Sequence, residues 1–181
     1  SASDSNFRFR GGELIFNGSF TDFGSVTEYI SKPEFRRGAS VITLVKNNAG
    51  KMSLVFDAAA DNIAPAQTAS PWGASVLFRG DSTFGISNDV GRSNVILSGG
   101  VPLSGVGGIG ESTKSIMPWA VIGRTGTPNQ PEGFSFATVD SAAGVADFVN
   151  SNANIVRPLN ASEYAADLSD VTNKNLLFTA A

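Results

Sequence analysis

The chain has 181 residues, enough for one sizeable core without help from metals or disulfides. Apolar residues make up 41% and charged residues 16%, which excludes both a disordered chain and a helical protein rich in Glu and Lys. Sixteen acids and 13 bases are scattered without runs for a net charge of −3, so no basic stripe exists to neutralise phosphates and nucleic acid is excluded as a partner.

In chain order, the start Ser1-Ala-Ser-Asp4 is polar, without the basic and apolar regions of a signal peptide, and is read as the start of a mature or excised product. Phe7-Arg-Phe9-Arg10 alternates strictly, which puts Phe7 and Phe9 on one face of a strand. Gly11-Gly12 then turns into Glu13-Leu-Ile-Phe16, and Asn17-Gly18 turns again. Ser25 to Arg37 has mild helical character broken by Pro33, and is read as a short helix or a lateral loop. Val41 to Val45 and Met52 to Phe56 are strands flanking a hairpin or corner, Lys46 to Lys51.

Asp57 to Trp72, Gly99 to Gly110 and Gly123 to Gly133 are loops, rich respectively in Ala with two prolines, in Gly, and in Gly with Pro. Ser162 to Asp167 is the one persuasive helical turn, with Asn160 or Ser162 as its cap. No apolar run is long enough for a membrane-spanning helix.

Short apolar segments recur from Ser75 onward: 75–78, 94–97, 115–117, 134–136, 154–156 and 175–178. Their centres lie about 19 to 22 residues apart, the spacing of a chain that coils with one rung per repeat. A rung cannot bury its inner face alone, so rungs must stack. The expected fold is therefore all-β: a single elongated β-solenoid over residues 1–181, parallel β-helix-like, with lateral loops and at most one or two short helices. These segments should be parallel neighbours, with Val76, Phe78, Val95, Leu97, Ile116, Phe136, Ile155 and Leu177 in one core.

Phe9-Arg-Gly-Gly-Glu-Leu-Ile-Phe-Asn-Gly18, Gly73 to Gly80 and Ser115-Ile-Met-Pro-Trp-Ala-Val-Ile-Gly123 resemble the strands of autotransporter-associated β-strand repeat proteins. Phe136-Ala-Thr-Val-Asp140, Arg157-Pro-Leu159 and Glu163-Tyr-Ala165 extend that resemblance in the same order. It implies about one unit of a long, exported, β-helical bacterial surface protein, placed outside the cell or on its surface. No outer-membrane barrel or signal sequence accompanies it here.

His and Cys are both absent, which removes thiol nucleophiles, Cys-based zinc sites, disulfides and the commonest general base. Gly105-Val-Gly-Gly-Ile-Gly110 has dinucleotide-turn spacing, and Gly108 to Ser115 approaches a phosphate loop. Thr113 occupies the loop's second glycine position, however, and Pro118 follows where a helix should begin, so a glycine corner is preferred and no nucleotide or other cofactor is expected. Asp57 with Asp61, Asp81 with Asp89, and Asp140 with Asp147 could pair as glycosidase acids, but each sits near a turn, where Asp caps its own backbone. A calcium corner at Asp81, Asn88 and Asp89 is a minor option, and no metal is expected. Asn17-Gly-Ser19 and Asn160-Ala-Ser162 match the glycosylation sequon, though turn chemistry explains both.

The expectation is a structural module without catalysis that stacks end to end with other copies or adjoining repeats. Its contact would join Phe7, Phe9, Leu14 and Phe16 of one unit to Leu176, Leu177 and Phe178 of the next, because neither segment carries proline or an inward-pointing charge. The alternative is an adhesin that binds glycans through lateral loops, with Trp72 and Trp119 as stacking surfaces. Buried tryptophans favour the scaffold, and solvent-facing ones beside carboxylates favour the glycan.

Overall fold

A computed structural model describes residues 7–18, 24–31, 33–46, 50–57, 73–85, 91–98, 101–124, 133–141, 153–165 and 175. Among the described residues eleven strands are formed: β1 (Phe7–Phe9), β2 (Gly12–Gly18), β3 (Val26–Ser31), β4 (Pro33–Phe35), β5 (Gly38–Lys46), β6 (Met52–Asp57), β7 (Ala74–Gly80), β8 (Ser93–Ser98), β9 (Ala120–Arg124), β10 (Gly133–Ser141) and β11 (Ala153–Pro158). Helix among the described residues is one 3₁₀ turn, Ala161–Glu163. The all-β expectation is met. The helical reading of Ser25 to Arg37 is not, because Val26, Thr27, Tyr29 and Ile30 are strand-prone and pair as β3.

Nine strands form one mixed sheet in the order β2-β5-β7-β9-β10-β11-β8-β6-β3, while β1 and β4 pair separately. Two arrays are parallel, β2-β5-β7-β9 and β8-β6-β3. Antiparallel β10 and β11 join them, with β10 pairing to β9 through residues 133–136 and to β11 through 137–141. The chain crosses from one array to the other between β5 and β6, so Lys46 to Lys51 links strands that do not pair and is no hairpin. Inner-face side chains from both arrays meet in one cluster that includes Ile42, Leu44, Met52, Leu54, Phe56, Val76, Phe78, Val95, Leu97 and Ile122. The sheet thus curls into a nearly closed barrel whose two end strands, β2 and β3, leave a seam.

This corrects the solenoid. β7 and β8, at the 75 and 95 segments, are not neighbours, and the 155 strand β11 pairs antiparallel with both β8 and β10. Aligned partners Leu14 and Ile42, Ile42 and Phe78, and Phe78 and Ile122 are 28, 36 and 44 positions apart, so no constant rung length exists. The spacing of apolar segments reflected strand length plus connection, without specifying which strands pair. β10 instead runs antiparallel to both β9 and β11. Ser115 to Met117 is no strand: Ile116 makes an isolated bridge to Ser104, and a turn at Pro118-Trp119 follows. Of the expected core, Val76, Phe78, Val95 and Leu97 are in place, whereas Phe136 is 39% exposed. Leu177 lies outside the described residues.

At the start of the chain, β1 and β4 continue the β2–β5 pairing in parallel register, with Phe9 opposite Phe35. Both strands bend at glycines of positive φ, Gly11 and Gly12 on one side and Gly38 on the other, and a Cβ on Gly38 would stand 3.6 Å from the Arg10 carbonyl oxygen. The rings of Phe9 and Phe35 stack at 4.7 Å, and each meets Phe56 edge-on, which closes that end of the core.

Candidate functional site

The surface differs sharply between the arrays. On the β8–β6 side both faces are buried, Val55 and Ile96 as well as Leu54 and Leu97. On the β2-β5-β7-β9-β10 side the outer face meets solvent. Register aligns Val41, Leu77, Val121 and Phe136 as an apolar row across four strands. The next row is Ile15, Thr43, Arg79, Gly123 and Phe134. Phe134 is 71% exposed, and its ring lies over Gly123, where a Cβ would come within 3.3 Å of it.

Past these rows the C-terminal ends of β5, β7 and β9 and the start of β10 enclose an open cleft of about 520 Å³. Its walls include Val45, Gly80, Gly123, Gly133 and Phe134, with Lys46, Arg79 and Asp81 as the charged groups. Lys46 stands 3.6 Å from Asp81, and Arg79 is 3.8 Å from Glu13. Thr43, also in the lining, donates its hydroxyl to the Glu13 carboxylate at 2.5 Å, and no group of three or more His, Cys, Asp or Glu residues among the described residues could hold a metal ion.

Among the described residues both seam strands are sheet edges, but they differ. In β2 the inner row is Leu14 and Phe16, each half-buried against the core and aligned with Ile42 and Leu44. In β3 the inner row is Val26, Glu28 and Ile30, aligned with Met52, Leu54 and Phe56. Glu28 is therefore an inward-pointing charge on an edge, a device that discourages strand addition. The predicted contact residues Phe7, Phe9, Leu14 and Phe16 lie along one continuous edge, Phe7 45% exposed and Phe9 buried. Leu176, Leu177, Phe178 and Trp72 lie outside the described residues. Trp119 is half-buried with its ring 5.8 Å from Phe35, and its indole N–H is buried without a hydrogen-bond partner.

The glycine-rich segment is an ordered loop. Ser104 and Ile116 exchange backbone bonds of 2.8 and 2.7 Å, Gly107 N–H donates to Thr113 at 2.8 Å, and Ser115 N–H to Gly107 at 3.2 Å. Gly107 permits this closeness, since a Cβ there would fall 2.4 Å from the Thr113 carbonyl carbon. No helix follows, and Lys114 is buried, its ammonium donating to the Val139 carbonyl at 3.2 Å and standing 3.4 Å from Asp140. It cannot serve a phosphate.

Lys114 belongs to a buried ionic cluster that sequence reasoning missed. Arg157 donates to Glu163 at 2.6 and 2.7 Å and also to Asp140. Glu163, wholly buried, further accepts the N–H of Gly110 at 3.0 Å and of Asn160 at 2.8 Å. Burial pushes the Glu163 pKa up, but the hydrogen bonds from Arg157, Gly110 and Asn160 and the Arg157 charge outweigh that and hold it at about 2. Burial likewise works against the Arg157 charge, and Glu163 and Asp140 more than offset it. Asn175 donates to the carbonyls of Lys114 and Glu163, at 3.1 Å each, and ties the cluster to the chain beyond. The only sequence signal was the pairing of Arg157-Pro-Leu with Glu163-Tyr-Ala in one stretch. The cluster fastens the loop to β10 and β11 through Lys114 and Glu163.

The acid pairs are likewise committed where they are described: Asp57 accepts from Ser98 at 2.7 Å, Asp81 from the Thr83 N–H at 2.8 Å, and Asp140 from Arg157. Asp61, Asp89, Asp147 and Asn88 lie outside the described residues. Among the described residues no helix is long and apolar enough to cross a membrane. No family model, curated protein or solved structure matches the chain, and nothing identifies an autotransporter-associated repeat.

Proposed function

We propose that this chain is a structural module without catalysis that assembles with further copies of itself or an adjoining unit by strand addition at the Phe7–Phe16 edge. The observation that carries this reading is the asymmetry of the seam. The β1–β2 edge offers an apolar inner row, Leu14 and Phe16, and no inward charge, while the β3 edge carries Glu28. Among the described residues no strand pairs with the far side of β1 or β2. Successive residues of an edge strand direct alternate N–H and C=O groups away from the sheet, and an added strand would satisfy them. An extracellular or cell-surface setting fits the cysteine-free composition and stays part of the proposal. Trp119, packed on the core, supports a scaffold over a glycan-stacking role.

The test is sedimentation of the wild-type chain over a wide concentration range beside Ile15→Lys. Ile15 is 58% exposed, so the substitution leaves the core intact while placing an edge-blocking lysine on β2. Wild-type association that the variant loses supports the reading. A wild type that stays monomeric at high concentration, or assembly indifferent to the lysine, defeats it.

A further inference from the structure

Strand addition needs a free edge, and the fold offers few. In the nine-stranded sheet every strand but β2 and β3 has a neighbour on both sides among the described residues. Opposite the seam, β10 and β11 pair with each other and with β9 and β8, so no edge opens there. β3 is guarded by the inward Glu28, and β4 is three residues long and begins with Pro33, which has no N–H to offer. β1 turns away from the line of β2 at Gly11 and Gly12, whose φ values are +92° and +89°, so a straight partner follows β2 alone. One apolar edge is left. With a single usable edge, a second copy can be met only through that same edge, which makes the contact isologous and closes it at two subunits.

β2 is suited to meet itself. It spans Gly12–Gly18, so its midpoint is Ile15. Glu13-Leu-Ile-Phe-Asn17 reads polar, apolar, apolar, apolar, polar in both directions. Antiparallel pairing about a two-fold axis at Ile15 sets Leu14 beside Phe16 of the second copy, Glu13 beside its Asn17, and Ile15 beside its Ile15. Side chains alternate between faces, so each of these pairs shares one face. Leu14 and Phe16, half-buried in one copy, continue the inner row across the junction, and the two Ile15 side chains, each 58% exposed, cover each other. The Glu13 carboxylate faces an amide that can donate to it, with no like charge opposite. Parallel pairing of the same two edges would require turning one copy over about the strand axis. That would lay the inner row of one copy beside the outer row of the other and bring Leu14 or Phe16 against Glu13 or Asn17.

We infer that two copies of this chain join as a closed two-fold dimer, β2 antiparallel to β2 with Ile15 on the axis, and that assembly stops there. The inference rests on the reading of the β2 edge as the contact and names its occupant. The charge on β3 is what keeps the pair from growing further.

The chain has no cysteine, so introduced thiols report this pairing alone. Residues opposite each other in antiparallel strands have Cα atoms about 4.5 to 5.5 Å apart, within disulfide reach, whereas residues four positions out of step are about 13 Å apart. Under mild oxidation Ile15→Cys should therefore link to itself, while Glu13→Cys and Asn17→Cys should link only when the two chains are mixed. Sedimentation of the wild type should level off at twice the monomer mass. Ile15→Lys, which sets two ammonium groups side by side on the axis, should weaken dimerisation about tenfold or more. Association that Ile15→Lys abolishes but that grows past two copies, or a Glu13→Cys chain that links to itself, overturns the dimer and leaves strand addition at β2 standing. A wild type that stays monomeric at high concentration, with none of the thiol pairs linking, overturns both.

Discussion

The Arg157 guanidinium and the Glu163 carboxylate meet through two hydrogen bonds, 2.6 and 2.7 Å, with Glu163 wholly shielded from water. Such a pair contributes little over an apolar substitute, but removing one member strands the other's charge. Glu163→Gln should therefore cost about 3 to 5 kcal/mol in urea unfolding. Asp140→Asn should cost less, since Asp140 is more exposed and Arg157 keeps Glu163. Equal losses from both variants would show that the buried pair is not the keystone of the cluster.

The same carboxylate makes stability depend on acid. Its folded pKa of about 2 lies below the 4.5 of the free side chain, so the unfolded chain takes up its proton first as pH falls. The stabilisation is complete above about pH 4.5, declines from there toward pH 2, and is gone below the folded value. Urea midpoints of wild type and Glu163→Gln should consequently converge as pH is lowered through this window. A gap that stays constant between neutral pH and pH 2 would contradict the assignment.

Gly85 offers a backbone test. It closes the turn after Phe84 with φ of +67°, and its N–H donates to Ser93 at 3.0 Å. A Cβ would stand 2.4 Å from the Val156 carbonyl oxygen and 2.8 Å from Arg157 Cα, both backbone atoms that cannot swing aside. Gly85→Ala should destabilise by about 2 kcal/mol or more, combining left-handed strain with the clash. Gly73→Ala, where a Cβ meets nothing within 4 Å, should be close to neutral by the same denaturation measurement.

These residues also show what the sequence could convey. Alternation in Phe7 to Arg10 and the apolar segments Glu13 to Phe16 and Val41 to Val45 marked strands, because such patterns are local. Partner choice is not local. Leu14 pairs beside Ile42, and Ile42 beside Phe78, across intervals that no repeat announces. The 20-residue spacing therefore suggested rungs where the chain crosses between two arrays and returns antiparallel through β10. The ionic cluster was harder still, since Lys114 and Asp140 are far in sequence from the stretch that holds Arg157 and Glu163, and no pattern joined all four. The edge at Phe7 to Phe16 was legible as a strand without proline. What marks its partner edge as different, Glu28 beside Leu54, needed the register.

That register yields a last prediction. Glu28 interrupts an otherwise apolar inner row between Val26 and Ile30, and at the seam its carboxylate remains exposed. Replacing it with valine completes the row, raises strand propensity and removes the one charge on that face. Glu28→Val should leave or slightly raise monomer stability, yet add a second sticky edge, so larger assemblies should appear at concentrations where the wild type forms few. Edge-to-edge growth through β3 also predicts that Glu28→Lys stays as soluble as the wild type, because charge of either sign blocks pairing. Light scattering on the three proteins at matched concentration reads the difference. If Glu28→Val scatters no more than Glu28→Lys, the charge is not guarding the edge and the contrast between the two seam strands loses its meaning.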